Sequence, residues 1–87
     1  MASSRRTTET ERRLQEIVGR KLRVPADEIP LDSDLLEDLD LDSLDVVAVI
    51  VEIEGAFAPV RISEGKGEEL RTLREVAAFV DQELELR

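Results

Sequence analysis

The sequence predicts an all-α fold: a small bundle of three main helices plus one short helix, with a long first loop. Three observations carry this expectation. Apolar residues recur at helical spacing in three separate segments. Each segment opens beside a residue suited to cap a helix. The apolar run at 46–51, the best strand candidate by composition, has no second run to pair with. With 87 residues a single domain is expected, 8–87, preceded by a polar tail at 1–7. A chain of this size buries roughly 60% of its unfolded surface, enough for one modest core.

The first helix is expected over 8–22. Leu14, Ile17, Val18 and Leu22 form one stripe, and Thr8 or Thr10 is suited to cap its start. Gly19 lies inside this segment and predicts close approach of another helix. Residues 23–42 read as a long loop, because Pro25 and Pro30 interrupt helix and Asp32, Ser33 and Asp34 favour turns. Val24, Ile29, Leu31, Leu35, Leu36 and Leu39 recur through it and are expected to pin it across the bundle. The second helix is expected from Ser43 to about Ala56, capped by Asp42 or Ser43. Val47, Ile50, Ile53 and Phe57 mark its buried stripe, and Gly55 and Pro59 end it. Residues 63–69 carry two glycines and predict at most one helical turn. Thr72 and Glu75 form a capping box for a last helix over 72–85, with Leu73, Val76, Ala77, Val80 and Leu84 inward.

Composition narrows the function. The net charge is −9, and Phe57 and Phe79 are the only aromatic residues. Nucleic-acid binding needs basic phosphate contacts and stacking rings, so it is not expected. Residues 24–60 hold eleven acids and no Lys or Arg, so this stretch carries −11 and the remainder +2. Such a field steers basic partners; the plain alternative is a solvated face that keeps the chain soluble. Eleven uncompensated acids repel one another, so salt or divalent ions are expected to raise the melting temperature. There is no Cys and no His, hence no disulfide framework and no imidazole base. The longest apolar run has six residues, too short to insert in a membrane. A cytoplasmic monomer is expected.

The chemistry concentrates in residues 38–45. Asp38, Asp40 and Asp42 alternate as at the start of a calcium-binding helix-loop-helix. That loop requires Gly at its sixth position and a bidentate Glu at its twelfth, where this chain has Ser43 and Val49. Ser43 as a nucleophile needs a base, and Lys21 and Lys66 are the only lysines. No metal site and no catalytic site is expected. Ser43 as a simple helix cap is the plain structural reading.

Asp38-Leu39-x-x-Asp42-Ser43-Leu44-Asp45 is similar to the Asp-Leu-Gly-x-Asp-Ser-Leu-Asp sequence of acyl carrier proteins. The likeness extends over about 8–85, including the first helix, Leu35-Leu36-Glu37-Asp38-Leu39 and the Thr72 to Val80 segment. The resemblance implies that Ser43 receives 4′-phosphopantetheine from coenzyme A by a phosphopantetheinyl transferase. It implies a carrier that is not itself an enzyme, holding acyl groups as thioesters for fatty-acid, polyketide or specialised lipid synthesis. Asp38, Asp42, Leu44, Asp45, Glu52 and Glu54 would then be read by the transferase and by acyl-transferring and acyl-modifying enzymes with basic docking patches. Val47, Ile50 and Val51, with Leu44 beside them, become candidates to shelter an acyl chain. The Asp before Ser43 resembles acyl rather than peptidyl carriers. The alternative is an acidic helical interaction module with no prosthetic group.

The resemblance has departures. The motif's Gly is Asp40 here, and positions where family members often carry Glu are Ala48 and Gly55-Ala56. A docking helix with fewer acids than usual points to a dedicated pathway rather than general fatty-acid elongation.

Overall fold

The computed structural model describes residues 7–39 and 41–85. Most of the polar tail expected at 1–7 lies outside these, and so does Asp40. The described residues form four helices: α1 (Glu9–Leu22), α2 (Ser43–Ala56), α3 (Glu64–Glu69) and α4 (Leu73–Glu85). The all-α expectation holds. None of these helices is long and apolar enough to cross a membrane.

Helix α1 begins in a reciprocal capping box. Glu11 N–H donates to Thr8 Oγ1 at 3.0 Å, and Thr8 N–H donates to Glu11 Oε1 at 2.9 Å. Thr10 is therefore not the cap; its hydroxyl donates to Asp81 Oδ1 at 2.6 Å and ties α1 to α4. Of the predicted stripe, Leu14, Ile17 and Val18 are buried, Leu14 and Val18 completely, and Leu22 partly so. Full burial of such a side chain contributes about 1.5–3 kcal/mol. The helix ends at Arg23, which adopts the left-handed conformation at φ 64°. That turn folds the chain back so that Val24 O would lie 2.7 Å from a Cβ at position 19. What approaches Gly19 is thus the helix's own following backbone, not another helix as the sequence suggests.

The long loop contains one 3-10 turn, Ala26–Glu28, packed on α1. Ile29 and Leu35 are buried and Leu31 and Leu39 partly so, as pinning residues should be; Val24 and Leu36 remain exposed. Gln15 Nε2 donates to Ile29 O at 2.6 Å from α1. Two backbone bonds lace the loop to the α3–α4 junction: Leu35 N–H to Arg71 O at 2.9 Å and Arg74 N–H to Leu31 O at 3.0 Å. Arg74 adds a two-pronged contact to Asp32, at 2.7 and 3.2 Å, and reaches Glu11 on α1 at 3.4 Å. The hydrogen bond that Arg74 donates to Asp32, then the charges of Asp32 and Glu11, hold the Arg74 guanidinium's pKa above its ordinary value despite partial desolvation.

Helix α2 keeps its predicted bounds, but its buried stripe is rotated. Val49, Ile53 and Phe57 are buried and Val46 and Ile50 partly so, whereas Val47 is exposed. The helix is apolar on most of its circumference, so spacing alone offered several equivalent stripes. Packing against α1 selected this one. Helix α3 is longer than the single turn expected, because Ser63 Oγ caps it by accepting Lys66 N–H at 3.3 Å. Helix α4 opens with the predicted box: Thr72 Oγ1 accepts Glu75 N–H at 3.2 Å, and Glu75 Oε1 accepts Thr72 N–H at 3.1 Å.

Gly19→Ala tests the α1 turn. In an unencumbered helix interior this change stabilises by about 1 kcal/mol. Here the added methyl forces backbone to move, an overpacking cost of about 1–3 kcal/mol. A net fall in the urea midpoint is expected; a rise would show that the 23–26 backbone gives way freely.

Candidate functional site

The first turn of α2 organises the site. Asp42 is the N-cap, with extended backbone and its Oδ1 accepting Asp45 N–H at 2.8 Å. Asp45 Oδ2 reaches back to Asp42 N–H at 3.4 Å and closes the box. Ser43 is the first helical residue, exposed, and its hydroxyl is not the cap. This removes the plain structural reading of Ser43. The first N–H groups of a helix, here Ser43 and Leu44, have no acceptor within the helix and sit at its positive end.

Lys21 Nζ, from the end of α1, lies 3.5 Å from Asp45 Oδ1. The carboxylate nearest Ser43 on the helix is therefore partly neutralised. Asp38 is exposed in the turn before α2, where its Oδ2 accepts Asp34 N–H at 2.8 Å. Leu44 is 80% exposed and heads an apolar strip with Val47 and Val51, also exposed. Glu52 lies ~14 Å along the axis from Ser43, paired with Arg20 at 3.3 Å. Glu54 turns to the other side and accepts Ile62 N–H at 2.8 Å. It serves as a tie to the chain after α2, so the structure does not bring it to Ser43.

A groove of about 420 Å³ opens at Ser43. Its walls are Val46, Val47 and Ile50 of α2, Gly67 and Glu68 of α3, Leu70 and Arg71 beyond it, and Asp34, Leu35 and Leu36 of the loop. Behind it lies an apolar space of about 30 Å³ bounded in part by Leu41, Val49, Ile53, Ile62, Leu73 and Val76. Of the proposed shelter residues, Ile50 lines both and Val47 the outer groove. Val51 and Leu44 line neither, because their side chains leave α2 on its solvent side.

Two site residues escaped the sequence reading. Arg71 Nη2 contacts Asp34 Oδ2 at 2.7 Å and Glu37 Oε2 at 3.6 Å, bridging the groove's rim. Lys21, in sequence only a possible base for Ser43, is in the fold a partner of Asp45. Neither role has a local sequence signal, since each partner is distant in the chain. With Arg20 and Arg74, these cations engage Asp32, Asp34, Glu37, Asp45 and Glu52, five of the eleven acids. The acidic stretch is thus not uncompensated, and the rise in melting temperature expected with salt is correspondingly smaller. Among the described residues, no three carboxylates converge as a metal site would require.

Comparison with known proteins agrees with this geometry. Residues 12–80 match the family described as the phosphopantetheine attachment site. The chain belongs to the acyl carrier protein family. It is 34% identical over 65 residues to the acyl carrier protein of Helicobacter hepaticus, covering 75% of this chain and 84% of that one. It is 35% identical over 69 residues to that of Kineococcus radiotolerans, covering 79% and 84%. The acyl carrier protein of Amoebophilus asiaticus is 32% identical over 77 residues, covering 88% and 95%. The prosthetic group of this family is 4′-phosphopantetheine, and its members are carriers rather than enzymes. An acyl carrier protein works with acyl-handling enzymes.

The rim supplies a pH prediction. The N–H of Glu37 first, then that of Leu36 and the Arg71 charge, hold the Asp34 carboxyl below its ordinary value, against the opposing effect of partial desolvation. A depressed carboxylate adds stability that is complete above the unfolded pKa, near pH 4, and is lost as pH falls through the folded value. Asp34→Asn should therefore be less stable than the parent at neutral pH. The gap should close below about pH 4; urea midpoints measured against pH check this, and a gap that persists in acid would contradict it.

Proposed function

We propose that this chain carries acyl intermediates as thioesters on a 4′-phosphopantetheine arm attached to Ser43 Oγ. One observation carries the reading: Asp42, not Ser43, caps α2, which leaves the Ser43 hydroxyl uncommitted at an exposed helix start beside a groove. The positive end of α2 and its first N–H groups suit a phosphodiester there. Lys21, by holding Asp45, lessens the repulsion that the flanking carboxylates exert on it. Val46, Val47, Ile50, Leu36 and Leu70 offer apolar contact to what the arm carries. The bound arm supplies the thiol that this cysteine-free chain lacks. The chain itself presents the acceptor oxygen: Ser43 Oγ attacks the pyrophosphate of coenzyme A and releases adenosine 3′,5′-bisphosphate, while a phosphopantetheinyl transferase supplies the base that takes the serine proton.

Partner recognition follows the surface. Asp42 is exposed next to Ser43 and Asp38 is exposed in the turn before α2, while Asp45 and Glu52 are already paired with cations of α1. Ala48, Gly55 and Ala56 add no charge, and Leu44, Val47 and Val51 form an exposed apolar strip. Docking on this helix therefore combines a small acidic pole at Ser43 with apolar contact farther along. Partner enzymes of matching shape carry a basic spot next to an apolar strip, rather than a broad basic patch. Such a face belongs to a dedicated acyl pathway more than to general fatty-acid elongation.

Two experiments test these statements. Incubation with coenzyme A and a broad-specificity phosphopantetheinyl transferase should add one phosphopantetheine to the native chain and none to Ser43→Ala, read by intact mass. Asp42→Asn keeps a capping oxygen and should stay folded while loading more slowly. No addition to the native chain would favour an interaction module without a prosthetic group. For the pathway, the loaded carrier should be a poor substrate for a generic fatty-acid synthase set. Elongation matching that set's own carrier would overturn the dedicated-pathway reading.

A further inference from the structure

Helix α2 carries three acids, Asp45, Glu52 and Glu54, and each is already engaged within the chain. Asp45 closes the capping box and meets Lys21 Nζ at 3.5 Å. Glu52 meets Arg20 Nη2 at 3.3 Å. Glu54 accepts Ile62 N–H at 2.8 Å. Arg20 and Lys21 are neighbours at the end of α1, yet their acids stand about two turns apart on α2. The two cations therefore reach in different directions along α2. Arg13, about two turns before Arg20, holds its Cζ 5.5 Å from the centre of the Phe57 ring at the C-cap of α2. Helix α1, packed on α2, thus borders it with positive charge from its first turn to its end.

Pairs this exposed contribute little to stability: Arg20 and Glu52 are 68% and 43% exposed. Their larger effect is on what approaches. A cation of an incoming enzyme that seeks Asp45 or Glu52 also meets Lys21 or Arg20, and like charges brought together disfavour the encounter. The exposed strip of Leu44, Val47 and Val51 carries no such opposition. Selectivity between partners needs a repulsive element as well as an attractive one, and the end of α1 supplies it.

We propose that Arg20 and Lys21 are specificity-determining residues for the enzymes this carrier accepts, an inference that rests on the Ser43 reading above. They withhold Glu52 and Asp45 from enzymes with a broad basic docking patch and leave α2 open to enzymes that engage its apolar strip. Removing either cation frees an acid and makes the chain a better substrate for an enzyme of the first kind. Arg20 is the cleaner reporter, because Glu52 lies ~14 Å along the axis from Ser43 and takes no part in attachment.

The test measures steady-state loading of Ser43 from coenzyme A by a broad-specificity phosphopantetheinyl transferase with a basic docking surface. The carriers are the parent, Arg20→Gln, Lys21→Gln, Glu52→Gln, the double variant Arg20→Gln with Glu52→Gln, and Arg12→Gln. Arg12 is exposed on α1 and, among the described residues, pairs with no acid of α2, so its loss makes the same change in net charge elsewhere. Melting temperature verifies folding, and intact mass verifies a single addition. Arg20→Gln should lower KM about threefold with kcat unchanged, a gain in the range of an exposed ion pair. High salt should erase that gain. Lys21→Gln should lower KM likewise. Glu52→Gln alone should leave KM near the parent's, because the acid is already covered, and should cancel the gain when added to Arg20→Gln. Arg12→Gln should follow the parent. A KM for Arg20→Gln equal to the parent's, or an equal fall in Arg12→Gln, overturns this inference and leaves the Ser43 reading standing, since every carrier still loads. Failure of every carrier to load overturns both.

Discussion

The attachment of the acidic loop to the start of α4 is the constraint on which the rest of the arrangement depends. A segment of this length without regular structure loses much conformational entropy on ordering. It is held by two backbone hydrogen bonds to residues 71 and 74, and by the guanidinium groups of the same two residues. Leu31 and Leu35 make those two backbone bonds, and Leu35 is driven into the core. The anchors fix one wall of the groove, because Asp34, Leu35 and Arg71 line it. Exposed ion pairs taken singly contribute little. Arg74 differs because it joins the loop, α1 and α4 at one point and meets Glu11, which is buried.

The first turn of α2 divides its labour between neighbours. Asp42 and Asp45 satisfy the helix's free N–H groups for each other, which releases Ser43 from local structure. Had Ser43 been the cap, its hydroxyl would have been tied to the N–H of a residue in the next turn. Of the acids near the serine Asp45 is moderated by Lys21, and farther along α2 Glu52 is moderated by Arg20. The charge visible to a partner is therefore more local than the count of eleven acids implies. The apolar strip of Leu44, Val47 and Val51 on α2 is left to face solvent and adds nothing to the core.

Much of the frame was legible in the sequence because its signals are local. Thr8 with Glu11 and Thr72 with Glu75 are capping boxes written within four residues, and both form. The stripe of α1 is unambiguous because polar residues cover its other faces. The motif around Ser43 placed the start of α2 correctly for the same reason. Helix α2 shows where such reading ends. Its circumference is apolar on nearly every side, and the expected stripe of Val47, Ile50, Ile53 and Phe57 is right at Ile53 and Phe57 but not at Val47, which is exposed while Val49 is buried. Likewise α3 was underestimated, because two glycines lower intrinsic propensity while Ser63 and the contact with Ile50 favour helix.

The sequence by itself determined the all-α class, the bounds of the long helices, the excess of acid and the serine at a helix start. Each depends on residues within a turn or two of one another. Only the tertiary structure decided which face of α2 is buried, which of two residues caps it, and which acids are paired. It alone showed that Gly19 receives its own following loop and that Gly67 lies against Ile50. These outcomes depend on atoms that are remote in the chain and close in space. Packing density and charge pairing act between such atoms, and no periodicity along the sequence encodes them.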